Sequence, residues 1–394
     1  MKQMVLKNAN LLDVANEKCL EGYSVLVENG RIKEIAKEVN ANEDALVLDL
    51  TGKTVAPGFF NCHTHFTSEA NPSGAGASSD AISAVVAIEN MQKYLKSGIT
   101  YIRDVGGANG VDIDIRNMVK AGRVVGPDMQ VSGRNICMTG GHGWSMGHEC
   151  DSPDECRKAA RTELKKGADW IKLMASGGVM TKGNECGCHQ LTEEEMRAAV
   201  VEAHKAGAKT CTHAQGMESI KAALRAGLDS IEHGFWMDDW CFDYMKEHNV
   251  FYVPTLAAVY WIVVKGEAAG IPDFMVRKAS SAMEAHIDTC KRAYDAGVKM
   301  ALGTDAGTPF NEHDLTLKEL ELLVNAGIRP WDAIKFGTIN AAELMDVSDD
   351  LGEIAVGKKA TFAVFEKDIV ADVTAAMDCY MTIKDGVVVY QKEA

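Results

Sequence analysis

"LKKGADWIKLMASGG", residues 164–178, is one copy of a phrase that recurs through the middle of the chain. A helical stretch closes on a glycine, a short apolar run follows, and the run meets a polar residue near further glycines. The phrase returns as "LKSGITYIRDVGG" at 95–107, "AHKAGAKTCTHAQG" at 203–216, "LRAGLDSIEHG" at 224–234 and "AYDAGVKMALGTDAG" at 293–307. Glycine suits the left-handed position just past a helix C-terminus because it has no Cβ to clash. A short, mostly apolar run suits a strand buried on both faces. Helix and strand repeating in this order indicate a parallel α/β architecture.

The polar residues of the phrase are Asp104, Lys172, His213, His233 and Asp305. An α/β barrel gathers the C-terminal ends of its strands at one mouth, so these side chains are expected to converge. "NCHTHF" at 61–66 adds His63 and His65. Residues i and i+2 of a strand share a face, so the two imidazoles can reach one ion while Thr64 points away. Alone the pair is weak evidence; joined to His213, His233 and Asp305 it reads as a metal site. Lys172 is the odd member. An ammonium has no lone pair and repels a cation, so Lys172 is either a neutralised ligand or a structural residue directed elsewhere.

The ends differ from the middle. Residues 1–56 alternate apolar and polar in short runs broken by "NG" at 29–30, and the tail alternates around "DG" at 385–386, the pattern of strands and hairpins. Two such segments can pair into one small sheet domain.

Composition narrows the partners. Lys and Arg number 41 against 56 Asp and Glu, and a net charge of −15 opposes attraction to nucleic acid or anionic membranes. The most apolar run, "VPTLAAVYWIVV" at 253–264, is too short to cross a bilayer and reads as core. With no signal-peptide pattern at the N-terminus, a cytoplasmic location is expected. The 11 cysteines are odd in number and scattered, which favours reduced thiols. Cys186 and Cys188 in "CGCH" lack the second pair that a zinc ribbon needs.

The order "PGFFNCHTHF", "WIKLMASGGV", "KTCTHAQG", "DSIEHGFW" and "MALGTDAGTP", with "YIRDVGG" and "LGEIAVGKKATFAVFEKD", resembles the binuclear branch of the amidohydrolase superfamily over essentially the whole chain. The resemblance implies a (β/α)8 TIM barrel over residues 57–353, with a small β-sandwich built from 1–56 and 354–394. It implies two divalent metal ions, zinc by preference. His63, His65 and Asp305 would hold one and His213 and His233 the other, with carboxylated Lys172 and a hydroxide bridging them. Carboxylation answers the objection to Lys172, since a carbamate is an anion. Asp305 would act as general base and then general acid. Similar proteins are often homo-oligomers, and the same is expected here.

Within the superfamily, "MTGGHGWSMGHE" at 138–149 and "KLMASGGVMT" at 172–181 are most similar to the Xaa-Pro dipeptidase and imidazolonepropionase-like metallo-carboxypeptidase group. Imidazolonepropionase proper keeps one metal and lacks the bridging lysine, so Lys172 argues against that activity. The expected substrate is a small molecule, a dipeptide or N-acyl amino acid, with His142 and backbone N–H groups of "TGGHG" receiving its carboxylate. Lactonase, phosphotriesterase or cyclic-amidase specificity on the same metals is the alternative, and a metal-free scaffold is a third reading. Relatives place an aromatic hydroxyl where this chain has Trp236. Arg103 is expected in a buried ion pair, Tyr260 in the core and His204 on a helix surface.

Overall fold

The computed structural model describes residues 3–74, 79–107 and 109–393. The five glycines that close the helical part of the phrase, Gly98, Gly167, Gly207, Gly227 and Gly297, all have positive φ, between 73° and 102°. Each stops the helix before it: Asp80–Lys96, Pro153–Lys166, Glu193–Lys205, Met217–Ala226 and Asp273–Asp295. The starts are also encoded locally. Ser152 caps the second helix just ahead of Pro153, and Thr192 with Glu195 forms a capping box on the third.

The strands between these helices form two parallel sheets. One has the order Phe59–Thr64, Ile99–Asp104, Asp128–Val131. The other has the order His148–Glu149, Ile136–Cys137, Trp170–Met174, Lys209–Ala214, Ser230–His233, Phe251–Val253. Its register sets Met174 opposite His213 and Ala214 opposite His233, which brings successive polar residues of the phrase to one end. Lys172 lies in the middle of its strand, two residues before the end.

The fifth phrase departs from expectation. Residues 299–305 are not a regular strand; they are an irregular segment that joins the two sheets. Tyr252 N donates to Lys299 O at 2.9 Å and Ala301 N to Tyr252 O at 3.0 Å. On the other side Cys62 N donates to Leu302 O at 2.8 Å, while Thr304 N and Asp305 N both donate to His63 O, at 3.2 and 2.8 Å. Two successive amides on one carbonyl break the ladder of alternating bonds that defines a strand. Gly303 permits the close approach, because a Cβ there would sit 2.8 Å from His63 Cβ and 2.5 Å from Val253 Cγ1.

Both terminal segments enter one eight-stranded sheet, which has its own apolar core around Leu6, Val25, Val55, Phe362, Val364 and Ile383. The two hairpins turn where expected. Asn29 and Gly30 have φ of 53° and 77°, Asp385 and Gly386 of 49° and 73°, the doubly left-handed turn that matches strand twist. Gly30 of the first turn packs against the second, where a Cβ would meet Asp385 O at 2.7 Å. All eleven cysteines are free thiols. Among the described residues no helix is long and apolar enough to cross a membrane.

Candidate active site

His63 and His65 extend from the end of Phe59–Thr64 toward Asp305, their Nε2 atoms 3.4 and 3.2 Å from its Oδ1. One ligand atom each of His63, His233 and Asp305 lies within 4.8 Å of the others, a group that could hold a metal ion. His213 joins through His233, their ring centroids 4.5 Å apart. Cys186, Cys188 and His189 form no such group among the described residues.

Each imidazole is anchored through one ring nitrogen. His63 Nδ1 meets Glu232 Oε2 at 2.7 Å, His65 Nδ1 meets the Gly106 carbonyl at 2.9 Å, and His233 Nδ1 meets Thr255 Oγ1 at 2.7 Å. His213 is reversed: its Nε2 lies 3.4 Å from the Gly177 carbonyl, which leaves Nδ1 as the free nitrogen. For His213 and His233 an oxygen on one nitrogen fixes the tautomer and leaves a lone pair on the other, the state a metal ligand requires, while the second nitrogens of His63 and His65 face Asp305. Burial, reinforced by neighbouring imidazoles, drives His213 and His233 well below the usual histidine range, so both stay neutral. Asp305 is held well below the usual carboxylate range. Burial opposes that shift, but the hydrogen bonds and charges of His63 and His65 outweigh it.

Three residues here have backbone φ where side chains are rare: His233 at 71°, Thr255 at 58° and Asp305 at 60°. Each costs on the order of 1–3 kcal/mol and persists only where surrounding bonds dictate it. For Asp305 the bond is its own N–H to His63 O; for Thr255 it is the contact with His233.

Lys172 is buried and Nζ has no hydrogen-bond partner among the described residues. Burial chiefly lowers its pKa, which favours the neutral, nucleophilic amine. His63, His65, Lys172, His213, His233 and Asp305 all line one cavity with an accessible volume of ≈ 400 Å³. His142 lines it too, its ring centroid 4.2 Å from that of His213 and its Nδ1 2.9 Å from Thr181 Oγ1. Burial brings its pKa down to about 4.

The structure corrects three of the expectations. Asp104 does not join the cluster: its carboxylate accepts from Phe66 N at 2.7 Å and Gly106 N at 3.1 Å, bracing the turn that carries the His65 anchor. Nor is the backbone N–H of His142 available to an anion, since it donates to Gln190 Oε1 at 2.9 Å. Other readings agree with the structure. Arg103 forms a fully buried ion pair with Glu232 at 2.8 Å and His204 is exposed on its helix, whereas Tyr260, expected in the core, is only half-buried, though it does stand outside the cavity. Glu232 and Thr255 were not singled out from sequence. A carboxylate inside the apolar run "DSIEHG" is a signal that could have found the first; Thr255 leaves none.

A family model for the amidohydrolase family matches residues 54–389. The chain belongs to the amidohydrolase family. It is 30% identical to a solved Xaa-Pro dipeptidase with methionine bound in its active site, with a TM-score of 0.91 over 99% of this chain and 100% of the other. A prolidase solved with N-methylphosphonate-L-proline is 29% identical, with a TM-score of 0.92 over 99% and 100%. Ochratoxinase of Aspergillus niger is 29% identical over 350 residues, 80% of this chain and 71% of the fungal one. This amidohydrolase is therefore an enzyme, a hydrolase acting on C–N bonds.

Proposed function

We propose that this amidohydrolase is a binuclear metal hydrolase that cleaves the amide bond of dipeptides or N-acyl amino acids. The observation that carries the reading is the anchoring of four imidazoles, each with one ring nitrogen against an oxygen, around Asp305 and a buried Lys172. The likeness to dipeptidases supports the substrate class. We read the two parallel sheets and the 299–305 segment as one (β/α)8 barrel spanning 57–353, and 1–56 with 354–394 as the β-sandwich domain.

In this reading His63, His65 and Asp305 would hold one divalent cation and His213 and His233 the other, with carboxylated Lys172 as a ligand they would share. Zinc bound there would supply Lewis acidity, lowering the pKa of a water and polarising the scissile carbonyl. The protein's own part is positional. Asp305 uses Oδ1 toward His63 and His65, leaving its other oxygen to take a proton from the attacking water and return it to the leaving nitrogen. His142, neutral and donating or accepting through Nε2, orients the substrate over the cluster.

The test is metal analysis with a screen of dipeptides and N-acetyl amino acids against lactones and phosphotriesters. About two zinc equivalents and turnover of amides are expected, with His213→Asn and Lys172→Ala each folded and inactive. Near-wild-type activity in either variant would overturn the binuclear assignment. Preference for lactones over every amide would overturn the substrate class.

A further inference from the structure

A smaller recess shares His142, His213, His233 and Asp305 with the main cavity. The rest of its wall is apolar, formed by Val179, Met180, Phe235, Ala258, Val259 and Ile262, apart from Gln215 and Thr308. Its accessible volume is ≈ 30 Å³. That is far below the ≈ 400 Å³ of the main cavity by the same measure, so the recess suits a short side chain rather than a bulky one.

Gln215 is 3% exposed, and its Oε1 has no hydrogen-bond partner. The residue is otherwise well held: its N–H donates to Ser176 Oγ at 3.0 Å, and its carbonyl accepts from Trp236 N at 3.0 Å. A buried acceptor left unpaired costs about 1–3 kcal/mol. A ligand that donates to it removes that cost, whereas a purely apolar occupant leaves it in place.

The walls are preformed. Lys278, itself buried, donates from Nζ to the carbonyls of Gly178 at 3.1 Å, Thr181 at 2.7 Å and Asn184, clamping the loop that carries Val179 and Met180. Glu319 accepts from Leu256 N at 2.7 Å and Ala257 N at 2.8 Å, fixing the start of the helix that carries Ala258, Val259 and Ile262. Among the described residues no charged group other than Asp305 and the three histidines lines the recess, so a charged side chain would enter it unpaired and desolvated.

We propose that this recess is a side-chain subsite that takes one small, uncharged aliphatic residue of the substrate, with Gln215 Oε1 accepting a hydrogen bond from an N–H of that residue. The assignment rests on the reading of the site as a dipeptide or N-acyl amino acid hydrolase and names the residue class it selects.

Calorimetric binding to the zinc-loaded protein tests it. The probes are non-hydrolysable phosphonamidate dipeptide analogues varied through Gly, Ala, Val, Phe, Lys and Glu on either side of the P–N bond, with turnover of the matching dipeptides measured in parallel. On one side of the bond, Ala and Val analogues are expected to bind at least about tenfold tighter than Phe, Lys or Glu. Gln215→Leu should weaken the Ala and Val analogues about fivefold. Val259→Ala, which enlarges the recess without introducing a clash, should move the optimum to larger aliphatic residues. Affinities flat on both sides, tighter binding of Lys or Glu, or an unchanged ranking in Val259→Ala would overturn the subsite. Unweakened binding to Gln215→Leu would remove Gln215 from it. The predicted ranking without any peptide turnover would leave the subsite standing and refute the hydrolytic reading instead.

Discussion

His233 Nδ1 lies 2.7 Å from Thr255 Oγ1, and the same hydroxyl donates to the Pro254 carbonyl at 2.6 Å. A hydroxyl has one proton. With that proton on Pro254, Thr255 can only accept, so His233 must carry its proton on Nδ1 and offer a lone pair from Nε2. Thr255→Val removes the acceptor at nearly constant shape and should lower metal affinity roughly 10–100-fold in chelator competition. Thr255→Ser should restore most of it. Equal loss in both variants would mean that the methyl group, not the hydroxyl, matters.

Arg103 and Glu232 form the corresponding brace beneath His63. The guanidinium donates to Glu232 Oε1 at 2.8 Å, to Ser230 Oγ at 3.0 Å and to the Cys62 carbonyl, and it lies over the Trp170 ring. Removing one partner of a fully buried pair strands the other, so Arg103→Met should cost about 3–5 kcal/mol in urea unfolding. The double variant Arg103→Met, Glu232→Leu should regain part of that stability but not the metal affinity, because His63 then lacks its Nδ1 acceptor. Full recovery of metal binding in the double variant would show the brace to be structural only.

Most of the cluster was legible because its members recur near the strand ends of a repeat, and a repeat converts spacing in the chain into proximity in space. Lys172, His213, His233 and Asp305 could be ordered around one mouth for that reason, and His63 and His65 followed from strand alternation. Asp104 occupies the same position in its phrase yet bends back onto the Phe66 and Gly106 amides. Spacing cannot distinguish a carboxylate that faces the mouth from one that caps a turn. The irregular 299–305 segment was hidden for a related reason. Its departure from a strand depends on two amides sharing His63 O and on a left-handed Asp305, both tertiary in origin. Thr255 is the extreme case, since a β-branched residue at φ 58° contradicts local preference and is explained only by its partner.

Glu163 offers a pH test away from the metal cluster. It is buried, and burial alone would raise its pKa; hydrogen bonds from His148 at 2.6 Å and Lys166 at 2.8 Å hold it below the usual value instead. A carboxylate depressed in the folded state contributes stability above its unfolded pKa, near 4.5, and loses it as pH falls through the folded value. Glu163→Gln should therefore lower Tm at neutral pH, and the gap from wild type should close below about pH 4.5. A gap that stays constant across that range would place the cost in packing.

Gly178 tests the part played by His142. It has no left-handed φ to protect, but a Cβ there would lie 2.6 Å from His142 Cε1 and Nε2, backed by a loop that Lys278 clamps. Neither side can yield easily, so Gly178→Ala should turn the imidazole out of its place over His213 while leaving every proposed metal ligand intact. The expected result is unchanged zinc content with KM raised about tenfold or more, and His142→Ala should show the same pattern. Loss of zinc in both variants would make His142 a ligand rather than a substrate contact. Unchanged kinetics in both would remove it from the site.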